Sequence, residues 1–303
     1  MEWEVKLIEL IQNNMGSLGI LLGEFFSFLA SEKGLLLLLL IMMFCWKKDT
    51  GKKLTMTVVS LNVWLPMIKT LVMRPRPYMS YPERIKPLVL VEADAAAEDV
   101  AAQGYSFPSM HSASASGLFL YLAKEIKTRP VWIVSILLAF LVGFFRVAVG
   151  VHYPTDVLAG WTLGILAIAV SVFLERSIKN KWIRSLIPLL IALPGVFYVR
   201  TQEYFTALGL MIGIIFAFPF EEKHIDYKAT DNIFAMILRV LGAFVIYIVL
   251  NTLFKLPFRK AFLESVSLLS LLVRTARYAI IIFVMLGIYP WVFPLFEKIG
   301  KKK

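Results

Sequence analysis

Residues 145–161 read FRVAVGVHYPTDVLAGW. An apolar run ends at Arg146, turns through Gly150 and reaches His152. It then restarts at Pro154 with Asp156 just beyond. Proline suits the first position of a helix, so His152 stands immediately before a helix and Asp156 lies in its first turn. Two apolar runs joined by such a polar elbow predict two membrane helices, 130–148 and 153–174, with chemistry gathered at one end. Residues four apart at a helix start share a face. A carboxylate there can take the proton of one imidazole nitrogen and leave the other free, and a histidine held this way is a nucleophile or a base.

Two further stretches make sense as partners of this one. Residues 107–111, FPSMH, precede an apolar run, so Ser109, Met110 and His111 begin a helix whose free N–H groups favour an anion. His111 would stand beside a phosphate as general acid for a leaving alkoxide. Residues 69–77, KTLVMRPRP, add Lys69, Arg74 and Arg76. With Arg146, whose guanidinium can clamp phosphate oxygens bidentately, they form a cationic set. A histidine in an apolar chain is usually structural. Here, though, two of the three histidines, His111 and His152 but not His224, fall at the ends of apolar runs beside such cations.

The chain has 303 residues, 59% of them hydrophobic, and a mean hydropathy of +0.74. That composition predicts an all-α, polytopic integral membrane bundle. The net charge of +11 fits cytoplasmic loops against anionic lipid, with no nucleic-acid partner. The single cysteine, Cys45, has no partner for an intramolecular disulfide. No removable signal peptide is expected in MEWEVKLIEL. Since a span needs about 20 apolar residues, ten are expected, at 4–30, 34–47, 53–73, 108–124, 130–148, 153–174, 183–199, 204–220, 232–254 and 278–297. The first is interrupted by polar residues and can begin as an interfacial helix. Six spans, residues 1–177, form a catalytic bundle. About four more, residues 178–303, form a carboxy-terminal helical region.

Lysine and arginine set the orientation. The basic loops at 47–53, 124–129, 176–184, 223–228 and 298–303 alternate along the chain. With ten spans and an inward amino terminus they are all cytoplasmic, and the three motif stretches share the opposite side. Residues 255–277 break this pattern with five basic residues. Residues 91–103, VEADAAAEDVAAQ, are rich in helix formers and predict a short surface helix over the site. Arg239, inside the ninth span, requires a partner or an exit to the interface, because a charge at the bilayer centre costs about 2.5–3.5 kcal/mol. Gly19 with Gly23, and Gly209 with Gly213, carry the spacing of close helix contacts.

The order K-x6-R-P, P-S-x-H, R-x5-H-x3-D resembles the type 2 phosphatidic acid phosphatase superfamily of lipid phosphatases. Lys69 and Arg76-Pro77 match the first motif, Pro108, Ser109 and His111 the second, and Arg146, His152 and Asp156 the third. The resemblance covers roughly residues 50–175. It implies a phosphohistidine mechanism with neither metal nor cofactor. His152 would attack phosphorus, Asp156 would orient it and His111 would protonate the leaving group. Lys69, Arg76, Ser109 and Arg146 would hold the phosphoryl oxygens. The sequence departs from the pattern at Met110, where glycine is usual, and at Phe145, where serine is usual. The multi-span tail is weakly similar to that of the sphingoid-base phosphate phosphatases.

The function so implied is hydrolysis of a lipid phosphomonoester in a bilayer. The expected substrate is sphingoid-base-phosphate-like, or else phosphatidate or a polyprenyl diphosphate. The membrane is the bacterial cytoplasmic membrane or the endoplasmic reticulum, with the site on its non-cytoplasmic side. Two other readings stand beside it. A lipid phosphotransferase would pass the same phosphoryl group to another hydroxyl, and a lipid transporter or scaffold would use the bundle without chemistry. The sequence does not fix an oligomeric state.

Overall fold

The computed structural model describes residues 2–90 and 95–299. Among these, every regular element is helical. The chain is an all-α polytopic membrane protein. It packs as two compact units interleaved in sequence: residues 1–35 with 65–172, and residues 36–64 with 173–303.

The first unit opens with α1 (Glu2–Asn13) and α2 (Ser17–Leu29), followed by the start of α3 (Glu32–Ile41). It resumes with the end of α4 (Lys48–Val72) and continues through α5 (Met110–Ile126), α6 (Arg129–Ala148) and most of α7 (Pro154–Ser177). Local signals set these boundaries. Ser109 caps α5 by accepting from the Ser112 amide, and Pro154 opens α7 as its pattern predicts. Along α6, Ser135, Ala139, Val142, Gly143 and Arg146 face inward, while Ile133, Ile136, Leu137 and Phe140 are exposed. A helix with an apolar outer face is dressed for lipid rather than water.

The second unit is built from α8 (Lys181–Ala192), α9 (Gln202–His224), α10 (Ile233–Leu253) and α11 (Leu268–Ile282), together with earlier pieces of chain. Asn180, Thr201, Asn232 and Ser267 cap these four helices in turn. Gly209 and Gly213 let α9 approach α11 closely, since a Cβ at either would run into the carbonyl of Thr275 or Ala279. The lone Cys45 is a buried free thiol.

The expected ten spans are too many. Among the described residues, seven helical stretches are long and apolar enough to cross a membrane, or eight if Ser17–Leu29 and Glu32–Trp46, bent by 57° to each other, count as one span. The polar sequence around Asn14 ends α1, so the first expected span is two helices. The second of these joins the expected second span as the bent pair. Met110–Ile126, at 17 residues, falls just short. The last span runs Leu268–Phe296 and so takes in Arg274 and Arg277. There Arg274 donates to Gln202 and Thr206, and Arg277 to Asn251, which is how this helix carries charge. Of the expected surface helix at 91–103, residues 91–94 lie outside the described residues, and the remainder is helical only at Val100–Gln103.

The consequence for the site concerns α1. It lies at the motif end of the first unit, not at the opposite end as an inward amino terminus would require. Val5 and Ile8 are buried against Tyr78, Ile85, Val147, Val149, Val151, Tyr153 and Val157. Gln12 donates to the carbonyls of Lys86 and Ala148. Gly150 sits beneath it at φ +80°, where a Cβ would meet Gln12 Nε2 and the Lys86 carbonyl. Glycine is therefore required there on two counts. This apolar floor fixes the loop that carries His152.

Candidate active site

All seven residues assigned from the three motifs lie in the first unit. Lys69 is in the last turn of α4, Arg76 in the loop after it, and Ser109 and His111 at the start of α5. Arg146 is in the last turn of α6, His152 between α6 and α7, and Asp156 in the first turn of α7. Except for the half-buried His111, all of them are buried.

Arg76 is the structural centre. Its Nε and Nη2 donate to the carbonyls of Gln103 and Gly104, and Nη1 donates to the Val151 carbonyl at 2.9 Å. Nη1 also stands 3.4 Å from His152 Nε2. One guanidinium thus ties the loop after α4, the loop before α5 and the histidine loop together. Lys69 Nζ donates to the Tyr105 carbonyl at 2.6 Å. The Ser109 amide donates to the backbone carbonyl of Asp156 at 3.0 Å, which joins the second motif to the third. His111 lies within electrostatic reach of Arg146, His152, Arg76 and Lys69.

Arg146 is 2% exposed. Its Nη1 donates to Ser27 Oγ at 2.8 Å, while Nε and Nη2 have no partner among the described residues. Burying a guanidinium with unmet donors and no carboxylate is costly, and an anion is what would satisfy it. Phe145, which replaces the usual serine, stacks on Phe26 at 5.1 Å between centroids. That stacking seats α2 beside α6 and brings Ser27 to Arg146.

His152 and Asp156 face each other, but not in the hydrogen bond expected from the sequence. Nδ1 of His152 is 3.6 Å from Oδ2 of Asp156, beyond hydrogen-bonding range, and Nδ1 has no partner among the described residues. The carboxylate is engaged elsewhere. Oδ2 accepts from the Tyr153 amide at 2.8 Å, the return bond of an acidic residue three positions into its own helix. Oδ1 accepts from Arg74 Nη1 at 2.7 Å. With Nε2 toward the Arg76 guanidinium, the ring proton belongs on Nδ1, toward Asp156. The Nε2 lone pair then points into the cation cluster. Burial, reinforced by the charges of Arg76, Arg146 and Lys69, holds the His152 pKa well below the ordinary histidine value. That direction favours the neutral ring at neutral pH.

Sequence reasoning did not find Glu4, Ser27 or Thr155, and it gave Arg74 only as an added cation. No spacing rule links Glu4 to Arg74, 70 positions away, or to Thr155, 151 positions away. The one visible signal was an acidic residue on the apolar face of α1.

Residues 34–179 match the family model described as the PAP2 superfamily. Residues 205–302 match a second, described as the PAP2 superfamily phosphatase, transmembrane extension. An undecaprenyl-diphosphatase of Sulfolobus acidocaldarius is 39% identical over 85 residues, which are 27% of this chain and 40% of that protein. A phosphatidylglycerophosphatase B of Bacillus subtilis is 35% identical over 85 residues, 25% of this chain and 42% of the other. A bacitracin transport permease protein of Bacillus licheniformis is 46% identical over 69 residues, 22% of this chain and 32% of the other. The matched stretch thus spans about two fifths or less of each relative's length. No solved structure matches the chain. Two family models in chain order, over three motifs gathered at one end of a bundle, establish that the chain belongs to the PAP2 superfamily, with that superfamily's transmembrane extension following it.

Proposed function

We propose that the chain is a lipid phosphate phosphatase that works through a phosphohistidine on His152. The observation that carries this reading is Arg146, a buried guanidinium with two unmet nitrogens in a cluster with Arg76 and His152. That is a preorganised receptor for a phosphoryl group, and its charges need no rearrangement during reaction. Nε2 of His152 attacks phosphorus, and the bond from phosphorus to the lipid oxygen breaks. His111 gives its proton to the leaving alkoxide. Asp156 stabilises the ring charge that develops. Water then gives a proton back to His111 and attacks phosphorus, the phosphorus–nitrogen bond breaks and phosphate leaves, with Lys69, Arg76, Ser109 and Arg146 holding the oxygens through both steps. The cations supply the charge stabilisation, so neither metal nor cofactor is required.

The substrate in this reading is a lipid phosphomonoester or diphosphate whose tail stays in the bilayer. The names of the relatives put a polyprenyl diphosphate and phosphatidylglycerophosphate ahead of a sphingoid-base phosphate. The site faces the non-cytoplasmic side. By chain order, treating Ser17–Trp46 as one bent crossing, and Met110–Ile126 as a crossing too, leaves the five basic loops on one side and moves α1 to the motif side. The test is phosphate release by the purified chain from a panel of these lipids, with His152→Ala as control. Phosphate from the wild type alone supports the reading. A phosphorylated acceptor in place of free phosphate indicates the phosphotransferase. The transport reading requires lipid movement without phosphate release.

A further inference from the structure

Asp156 and Glu4 share one arginine. Arg74 Nη1 donates to Asp156 Oδ1 and to Thr155 Oγ1, both at 2.7 Å, and Nη2 donates to Glu4 Oε2 at 2.9 Å. Glu4 Oε1 closes the ring by accepting from the Thr155 amide at 3.2 Å and from its hydroxyl at 2.6 Å. The guanidinium lies 3.9 Å above the Tyr153 ring, so it is fixed in plane as well as in charge. Glu4 is 2% exposed, and a buried carboxylate must be paired. This pairing is made with the residue that holds Asp156, from a helix that none of the three motifs includes.

The electrostatic consequence is specific. If Arg74 faced Asp156 alone, its charge would largely cancel the carboxylate next to His152. A second carboxylate on the other edge of the guanidinium draws that charge away and leaves Asp156 anionic toward Nδ1. We propose that Glu4 is a positioning residue for the reaction. Acting through Arg74, it sets the place and the effective charge of Asp156 beside His152. This rests on the phosphohistidine reading of His152 and Asp156. Glu4 touches none of the phosphate-holding residues, so its effect belongs in the chemical step and not in substrate binding. The groups acting on His152 directly are Arg76, Arg146, Lys69, His111 and Asp156, and all are retained when Glu4 alone is changed.

The experiment compares wild type, Glu4→Gln and Glu4→Asp of the full chain in detergent, on whichever lipid phosphate the wild type hydrolyses, with thermal midpoints measured in parallel. Glutamine keeps the acceptor for Thr155 but removes the charge. We expect kcat to fall about 10-fold, the low end for outer groups that hold a functional histidine, with KM within about twofold. The acid limb of kcat/KM should move to lower pH, because the field at His152 becomes more positive. Glu4→Asp keeps the charge and should return the limb to its wild-type position. Wild-type kcat and profile in Glu4→Gln would overturn the inference. So would a fall in kcat that merely tracks lost folded protein while the limb stays in place. A wild type that releases no phosphate from any lipid would instead sink the phosphatase reading on which the inference stands.

Discussion

Two buried arginines, one in each unit, answer the same problem in opposite ways. Arg239 in α10 is 3% exposed. It donates to the Phe44 and Lys228 carbonyls at 2.6 and 2.9 Å and pairs with Glu297 at 2.9 Å. Phe293 lies 4.4 Å beneath it. Only its Nε is unmet. Arg146 in α6 is equally buried, yet among the described residues it has one hydroxyl, no carboxylate and two unmet nitrogens. The first arginine is completed by its own chain, as expected for a charge within a span. The second is incomplete without an anion. The same contrast runs through the surroundings. In the second unit Lys48 and Lys52 are both bonded to Glu221, whereas Arg146, beside the histidine loop of the first unit, makes no ion pair among the described residues. Charge balanced inside a unit holds it together, and the unmet guanidinium of Arg146 is the basis of the phosphate site proposed above.

The largest effect that could break this comparison is at His152. His152→Ala leaves every cation in place, so phosphate should still bind while turnover falls by at least about 10⁴-fold. Substantial phosphate release by the purified variant would remove the nucleophile from the account. Next come the arginines themselves. Arg146→Gln should lower kcat/KM about 10²–10³-fold, the scale of a lost oxyanion donor. It should leave the thermal midpoint unchanged or higher, since an unpaired buried charge opposes folding. Arg239→Gln should do the reverse. The orphaned Glu297 is partly exposed, so the loss of stability should be roughly 1–3 kcal/mol, below the ~3–5 of a fully enclosed pair. Activity per folded molecule should be retained. If both substitutions act alike on activity and on melting, the distinction between the two arginines is wrong.

Asp156→Asn is the next test. The amide keeps an acceptor for Arg74 but has no charge to stabilise the imidazolium, and at least about 10²-fold lower kcat is expected, where the orienting aspartate of serine proteases costs about 10⁴-fold. Near-normal turnover would make Asp156 a helix-capping residue only, the role in which its bond to the Tyr153 amide already places it. A smaller effect concerns pH. His152 must be neutral to attack, and burial among cations lowers its pKa. Activity should therefore persist as pH falls through the ordinary histidine range near 6.5, with the acid limb of kcat/KM lying below it. A limb at the ordinary value would mean that His152 is better solvated and feels less positive charge than its burial beside Arg76 and Arg146 requires. Smallest of all, EDTA should change the rate by less than about twofold, because Arg146, Arg76 and Lys69 supply the charge. Loss of activity restored by Mg²⁺ or Zn²⁺ would overturn that.

The contrast also marks what the sequence could carry. The helical class followed from hydropathy, and the third motif's geometry from Pro154 and the spacing of His152 and Asp156. That Arg239 would need a partner was equally legible. Its identity was not, since Glu297 lies 58 positions away and only packing brings it in. The same holds for Ser27 at Arg146 and for Glu4 at Arg74. Hydropathy windows overcounted the spans because they average across breaks, such as the one around Asn14 and the bend before Glu32. The bond between His152 and Asp156 was misjudged because spacing reports a shared face and not competition. Tyr153 N–H and Arg74 reach the carboxylate first.

The central claim, that Arg146 and the cations beside it hold a phosphoryl group for transfer to His152, is tested most directly by trapping the intermediate. Rapid acid-free quenching of the purified chain with a lipid carrying a radiolabelled terminal phosphate, followed by peptide mapping, should place alkali-stable, acid-labile label on His152. Label should be absent from His152→Ala and strongly reduced in Arg146→Gln. Turnover of the same lipid with no label on His152, or with label on another residue, would contradict the account.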